Sequence, residues 1–386
     1  MKTNRPMKVL CVDQEAILPV NRALYRALAV REGVRLSVLV PARWEGDFGA
    51  MLCGEETEPS FALAKGPVLF SGKSHRALYL SLAGIIWRVR PDILYLNAEP
   101  ESYLAWQAAM LCPLISPYTR IVFISWRNID YPPGVFPYKL PSLHARAERK
   151  VLAVAAHCIA HNQSAKEIFR RKSFSSVTVI PPAVDLKVFA PKRVGQPAAG
   201  RPLTIGFVGR FSPEKGLDLL LRAARDLGFE HRLLIVGSGP QKEELLQLAK
   251  GLGIDQRVIW GRPASREKIP EYLNEMDLLV LPSRTTLFWK EQFGRVIIEA
   301  FACGVPVIGS TSGEIPRVIG DAGLLVPEDD AGALAEAIRR VASDHVLKAD
   351  LVNKGLDRVR NEFSVEVVAR QYSELFSRLA EGSRRN

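Results

Sequence analysis

The stretch Phe288 to Ser310, FWKEQFGRVIIEAFACGVPVIGS, decides how this chain is read. Glu291 and Glu299 stand with seven residues between them, around a Phe-Gly pair. Beyond Gly294 the residues Val296, Ile297, Ile298, Ala300 and Phe301 turn apolar, which predicts a largely buried helix. Cys303-Gly304-Val305-Pro306 stops it, and VPVIG reads as a following strand. A helix starting near Phe293 would leave the N–H groups of Phe293, Gly294 and Arg295 free for a ligand. Gly294 would let that ligand approach the backbone. Glu291 can accept hydrogen bonds from sugar hydroxyls, and Glu299, near two turns further on, offers two oxygens to the two hydroxyls of a ribose. The plainer alternative is a pair of surface glutamates. The apolar residues between them weaken it, because an unpaired carboxylate on a buried helix is costly.

Outward from this stretch, short β-branched runs alternate with amphipathic helical patterns. The first half offers KVLCV, VRLSVLV, DILYL, RIVFIS, HCIA and VTVI as strands, separated by NRALYRALAV, SHRALYLSLAGIIWRV and ESYLAWQAAML. The second half offers LTIGFVG, HRLLIVG, RVIW, DLLVLP, VPVIG and GLLV. Such alternation predicts parallel sheets built from βαβ units, and it happens twice. FAPKRVGQPAAGRP, rich in Pro, Gly and Ala, reads as a linker. The expected division is therefore a first domain over 1–188, a linker over 189–202, a second domain over 203–363, and a C-terminal helix over 364–386. That helix either packs on the second domain or crosses back to the first. No short-period repeat is visible.

At 386 residues there is room for two domains of ordinary size. The five cysteines are scattered and none forms a CxxC pair, which predicts a reduced chain without a zinc site. The start, MKTNRPMKVLCVDQ, has no apolar leader pattern, and the apolar runs are too short to span a bilayer. A cytoplasmic location is the expectation. Residues 1–190 carry 24 Lys and Arg against 15 Asp and Glu, whereas residues 191–386 carry 28 against 26. A basic first half predicts an anionic partner, with a membrane surface ahead of nucleic acid, because no basic stripe interleaved with aromatics is present.

In parallel sheets the functional residues lie beyond the carboxyl ends of strands. After LTIGFVG come Gly209, Arg210 and Lys215, two cations at a strand end with a helix start behind them. This suits a diphosphate, since helix N–H groups favour negative charge and arginine binds two phosphate oxygens at once. A solvated basic turn is the competing reading. After HRLLIVG, Gly237-Ser238-Gly239 resembles half of a dinucleotide fingerprint, but Lys242 stands where the third glycine belongs. Tight turning into the next helix is its expected role.

Taken together, GRFSPEKGLDLLLRA, IVGSGP, FGRVIIEAFACGVPVIGSTSGEIPRVI and GLLVPEDD resemble the family 4 retaining glycosyltransferases, whose hallmark is E-x7-E. The resemblance is strong over 202–341 and moderate before it. It implies an α/β chain of GT-B architecture, two Rossmann-like parallel-sheet domains facing a cleft. It further implies a nucleotide-diphosphate sugar as donor, a glycan or lipid-linked acceptor, and a role in cell-surface polysaccharide or glycoconjugate synthesis. Arg210, Lys215 and Glu291 become the catalytic candidates. Gly209, Gly237, Gly261, Arg262, Gln292, Phe293, Gly294, Arg295, Val296 and Glu299 become donor-binding candidates, with the region of Gly261 and Arg262 by the base. Neither a metal nor another cofactor is implied.

The first half departs from the family pattern. DQEAILPVNRALYRAL has no glycine loop, so Pro19 to Arg22 must serve that corner differently. DILYLNAEPESYLAW offers Asn97 and Glu99 where many members have a histidine. Asn97, Glu99 and Trp126 are the acceptor-side candidates, although Asn97 and Glu99 read equally well as a helix-capping loop, and Trp126 and His161 as structural residues. Alternatives are a sugar-nucleotide epimerase, a phosphorylase, a nicotinamide oxidoreductase and a non-catalytic sugar-nucleotide-binding subunit. No pyridoxal lysine context supports the second, and the defective GxGxxG argues against the third.

Overall fold

The computed structural model describes residues 5–46, 49–54, 58–131, 138–192, 201–262 and 264–384. Contacts divide the chain into two compact units, residues 1–181 with 365–386, and residues 182–364. The first holds a seven-stranded sheet formed by β1 (Met7–Val12), β2 (Val34–Pro41), β3 (Ala62–Gly66), β4 (Ile93–Leu96), β5 (Arg120–Ser125), β6 (His157–Ala160) and β7 (Val177–Val179). Every neighbouring pair is parallel and the spatial order is β7-β6-β5-β4-β1-β2-β3. The second holds β8 (Leu203–Val208), β9 (His231–Val236), β10 (Val258–Gly261), β11 (Leu278–Leu281), β12 (Val307–Ser310) and β13 (Gly323–Val326), all parallel in the order β10-β9-β8-β11-β12-β13.

Helices connect the successive main strands except β2 and β3, between which Arg43–Gly46 and Gly49–Leu52 pair as an antiparallel hairpin. Strands covered on both faces need continuous apolar runs, and VLCV, ILYL and LLVL are buried at every position. In each unit the first strand lies inside the sheet. The chain moves outward on one side, then returns to lay its next strand on the other side. The order therefore reverses between β1 and β4 in the first unit and between β8 and β11 in the second. Doubly wound sheets bind ligands at the carboxyl ends of the strands at such reversals.

Three expectations shift. Ala62–Gly66 forms an unanticipated edge strand; only Gly66 is buried and its alternation is weak. The helical pattern SHRALYLSLAGIIWRV becomes helical only over Leu82–Val89. Before it, Leu78–Tyr79 pairs with Val68–Leu69, and Gln107 bonds both backbone groups of Tyr79 at 3.1 and 3.0 Å. The linker was expected to begin at residue 189, but Phe189 is buried and its N–H donates to Asp185 O at 2.8 Å. Asn274 then holds the backbone of Ala190 and Lys192 at 3.1 and 2.6 Å. Residues 193–200 of that linker lie outside the described residues.

The chain enters the second unit after Pro181, and a bridge between Val184 and Ser364 ties its entry to its exit. The final helix, Val365–Arg384, belongs to the first unit. Tyr372 and Phe376 pack on Tyr95 of β4, with ring centroids 5.5 and 6.0 Å away, and the Tyr95 and Tyr372 hydroxyls lie 3.3 Å apart.

Candidate active site

The second unit gathers its cations at the β8/β11 reversal. Gly209 continues the β8 ladder by donating to Val236 O at 3.0 Å, and Arg210 follows it, exposed and with no ion-pair partner among the described residues. Pro213–Lys215 form a single tight turn closed by Gly216 at φ 65°, where a side chain would collide with Pro282 O. The helix α1 (Leu217–Arg225) starts there. The turn brings Lys215 Nζ to 2.7 Å from Glu291 Oε2, and Ser283 Oγ, just past β11, donates to the same oxygen at 2.8 Å. Glu291 is buried, so both contacts offset the cost of removing its charge from water. No described partner takes its Oε1. The Trp289 ring lies 4.7 Å from Lys215 Nζ. The loop carrying Trp289 is strapped down by Arg284, which grips Asp218 through two bonds of 2.7 and 2.9 Å and also reaches Asp329.

The helix of the E-x7-E stretch, α2 (Arg295–Ala302), begins two residues later than expected. Gly294 is its N-cap at φ 80°, in the left-handed region. A side chain there would come within 2.8 Å of Ile297 Cδ1 and 3.0 Å of Leu281 Cδ2. Phe293 precedes the helix and is core, packed edge-on against Phe363 at 5.8 Å. Its side chain is therefore closed to a ligand, and the helix start falls at Gly294 rather than Phe293. Glu299 is buried on the same helix, with Arg266 Nη2 3.4 Å from Oε1. Burial pushes its carboxyl up to about 7, against the pull of Arg295.

The other donor-side candidates divide into packing and exposed positions. Gly237 (φ 148°) and Gly239 sit against the backbone of Gly209 and Phe211, and side chains at either would collide with it. Phe211 N donates to Ser238 O at 2.8 Å, and Gln241 N donates to Phe211 O at 3.1 Å. The GxG pair thus joins two strand-end loops as well as turning the chain. Gly261 ends β10 with Val236 beside it, and Arg262 and Gln292 are exposed. Arg295 and Val296 are half-buried in the first turn of α2.

The β1/β4 reversal of the first unit is acidic. Asp13, directly after β1, is buried. Its Oδ1 accepts from Asn97 Nδ2 at 2.6 Å and Glu15 N at 2.8 Å, and its Oδ2 from Tyr25 OH at 2.7 Å. Burial, then Glu15, push Asp13 up to about 6, against these hydrogen bonds. Asn97 N donates to Val12 O at 3.0 Å, extending the β1–β4 ladder and setting Asn97 beside Asp13. Glu99 accepts from Ser125 Oγ and Trp126 N, each at 2.6 Å. Burial, then Glu101, push it up to about 8. The helix that follows, Tyr103–Ile115, is capped by Ser102, which accepts from Ala105 N. The side-chain cap is thus Ser102 rather than Asn97 or Glu99, while Glu99 O accepts from Ser102 N at 3.0 Å. The His161 ring lies 4.2 Å from that of Trp126, tilted by 48°, and its Nδ1 donates to Ile180 O at 2.8 Å.

Arg127 is buried and bonded to Glu101 at 2.6 Å and Glu148 at 2.5 Å. Lys172 completes the set at 2.9 Å from Glu148. Arg22, in the corner expected to replace a glycine loop, is buried, donating to Ala16 O and Ile17 O at 2.8 and 3.0 Å. Sequence reasoning missed Asp13, Arg127, Arg266, Ser283 and Trp289. Only Asp13 carried a signal, its position directly after a strand.

Residues 190–358 match the family model described as Glycosyl transferases group 1. The D-inositol 3-phosphate glycosyltransferase of Mycolicibacterium smegmatis is 36% identical over 217 residues, 52% of this chain and 48% of that protein. The chain thus spans about half the length of the curated relatives it matches. A sucrose-phosphate synthase from Thermosynechococcus elongatus superposes with a TM-score of 0.72 at 20% identity, over 97% of this chain and all of the other. Anabaena Alr3699/HepE in complex with UDP does so with a TM-score of 0.71 at 18% identity, over 96% of this chain and all of the other. Likeness at such identity concerns the fold. Among the described residues no helix is long and apolar enough to cross a membrane. The chain has the GT-B fold, and through its second unit it is related to the group 1 glycosyl transferases.

Proposed function

We propose that the chain is a retaining glycosyltransferase of the family 4 type, moving a sugar from a nucleotide-diphosphate donor to a glycan or lipid-linked acceptor. The observation that carries this reading is the unpaired Arg210 beside the Lys215–Glu291 pair at the β8/β11 reversal. Arg210 and Lys215 neutralise the diphosphate, and the N–H groups at the start of α2 add donors to its oxygens. Glu291, held at Oε2, keeps Oε1 for a hydroxyl of the transferred sugar. Glu299 takes the ribose hydroxyls, and the region of Gly261 and Arg262 lies by the base.

In the transfer step the bond from the anomeric carbon to the phosphate oxygen breaks while the acceptor oxygen bonds to the same face. The acceptor proton passes to the departing phosphate oxygen, so configuration is retained and no protein base is required. The cations act by stabilising the charge that develops on the leaving group. Asn97, Glu99 and Trp126 form the acceptor side. The excess of nine positive charges over residues 1–190 supports docking on an anionic membrane face to reach a lipid-linked acceptor.

The test is a screen of UDP- and GDP-sugars by thermal shift, followed by proton NMR of the transfer or hydrolysis product. A true donor at 100 times its dissociation constant stabilises the fold by about 2.7 kcal/mol. The expected product keeps the donor's anomeric configuration. An inverted product contradicts retention, and absence of binding and turnover across the screen contradicts the transferase reading.

A further inference from the structure

The end of β4 presents an acceptor atom that the protein leaves unused. Asp13 is ringed by donors on both oxygens, and a carboxylate offers only acceptors. The carboxamide of Asn97 must therefore turn its NH2 toward Asp13, because the flipped amide would set oxygen against oxygen. This leaves Asn97 Oδ1 facing away, with no partner among the described residues and not among the atoms sealed from solvent. Close by, the buried Tyr79 hydroxyl also lacks a partner, and it lies near enough to Asp13 to feel its charge. Both features sit at the reversal where a doubly wound sheet binds its ligand.

The charges around this point select what can bind. Asp13 and Glu15 follow β1, and Glu99 and Glu101 follow β4. The buried cation nearby, Arg127, is already shared between Glu101 and Glu148, and Lys172 is taken by Glu148. An anionic group arriving here meets acceptor oxygens and the charge of Asp13 and Glu15, Glu99 being held largely neutral by burial and Glu101 offset by Arg127, whereas a hydroxyl can donate to Asn97 Oδ1. We propose that the β1/β4 reversal is a hydroxyl-binding subsite for an uncharged sugar acceptor, and that Asp13 is a positioning residue which fixes the carboxamide of Asn97 with its oxygen outward. This rests on the transferase reading and narrows its acceptor to a group without phosphate at the contacted end.

The experiment uses saturation-transfer NMR on the full chain. The probes are methyl glycosides of glucose, galactose, mannose and N-acetylglucosamine, each compared with its 6-phosphate. At least one neutral glycoside gives transfer, and its phosphate gives at least about tenfold less at the same concentration. Asn97→Ala abolishes the signal and Asp13→Asn reduces it about fivefold, while the affinity for UDP or GDP in the same samples is unchanged. The exchange Asp13→Asn with Asn97→Asp restores the pair and recovers the signal, which a merely structural role for Asp13 would not do. Should Asp13→Asn fail to fold, Tyr25→Phe loosens Asp13 without touching Asn97 and gives an intermediate loss.

Phosphates that bind as well as the neutral sugars overturn the inference. So does a neutral-sugar signal indifferent to Asn97→Ala, or no signal from any glycoside while UDP or GDP still binds. Failure of both nucleotides to bind strikes the donor reading of the second unit instead, and the glycoside signal is read independently of it.

Discussion

The two units reverse their strand order at equivalent places, yet they furnish those places with opposite charge. At β8/β11 the second unit offers exposed Arg210 and half-buried Lys215, with Glu291 as a held carboxylate. At β1/β4 the first unit offers the carboxylate of Asp13, with Arg127 locked between two glutamates. This local sign opposes the overall one, because the first half of the chain is the more basic. Topology fixes where a ligand can sit, and the side chains at the strand ends decide its charge. In the proposed reading a cation serves the ligand in one unit, whereas in the other Arg127 serves the fold.

That contrast is broken most readily at the two arginines. Arg127→Ala leaves Glu101 and Glu148 buried without their shared partner and is expected to cost about 3–5 kcal/mol of stability by chemical denaturation. The affinity for the nucleoside diphosphate should persist in whatever fraction stays folded. Arg210→Ala should do the reverse. Turnover falls about 10²–10³-fold, as when one donor to developing charge is removed, and the melting temperature hardly moves.

Gly294→Ala probes the backbone that presents α2 to its ligand. The left-handed φ of 80° costs a side-chain-bearing residue about 1–2 kcal/mol, and the contact with Ile297 adds to it. Denaturation should show that loss, together with weaker nucleotide binding.

The smallest effect concerns protons. Glu299 is held up to about 7, so its neutral form contributes stability that is complete below the ordinary carboxyl range and is lost as pH rises through about 7. In the proposed ribose role, binding uses the carboxylate. Affinity should rise with pH up to about 7, by at most about tenfold per unit, and level off above it. Titrations at pH 6 and 8 check this, and Glu299→Gln should flatten the difference and discriminate less between ribo- and deoxyribonucleotides.

Much of the proposed donor side can be read in the sequence because its residues lie in one short stretch. E-x7-E, the apolar run between the glutamates and the glycine at the helix start form a local pattern, and the alternating strands and helices announced two parallel sheets. The start of α2 was misplaced because Phe293 continues the apolar pattern, while the conformation at Gly294 decides where the helix begins. What joins distant positions was not legible. Lys215 meets Glu291 across 76 residues and Asn97 meets Asp13 across 84. Arg266 reaches Glu299, and Tyr372 reaches Tyr95, only through the tertiary fold. The sequence also concealed that the most deeply placed arginines, Arg22 and Arg127, are spent on backbone carbonyls and glutamates.

The central claim is that the β8/β11 reversal is the diphosphate site, and titration calorimetry with UDP and GDP tests it most directly. Wild type should bind at least one of them. Lys215→Ala should weaken that binding by about 1.5–3 kcal/mol, the worth of a charge-assisted hydrogen bond, or roughly ten- to hundredfold. An unchanged affinity in a folded Lys215→Ala protein would contradict the account.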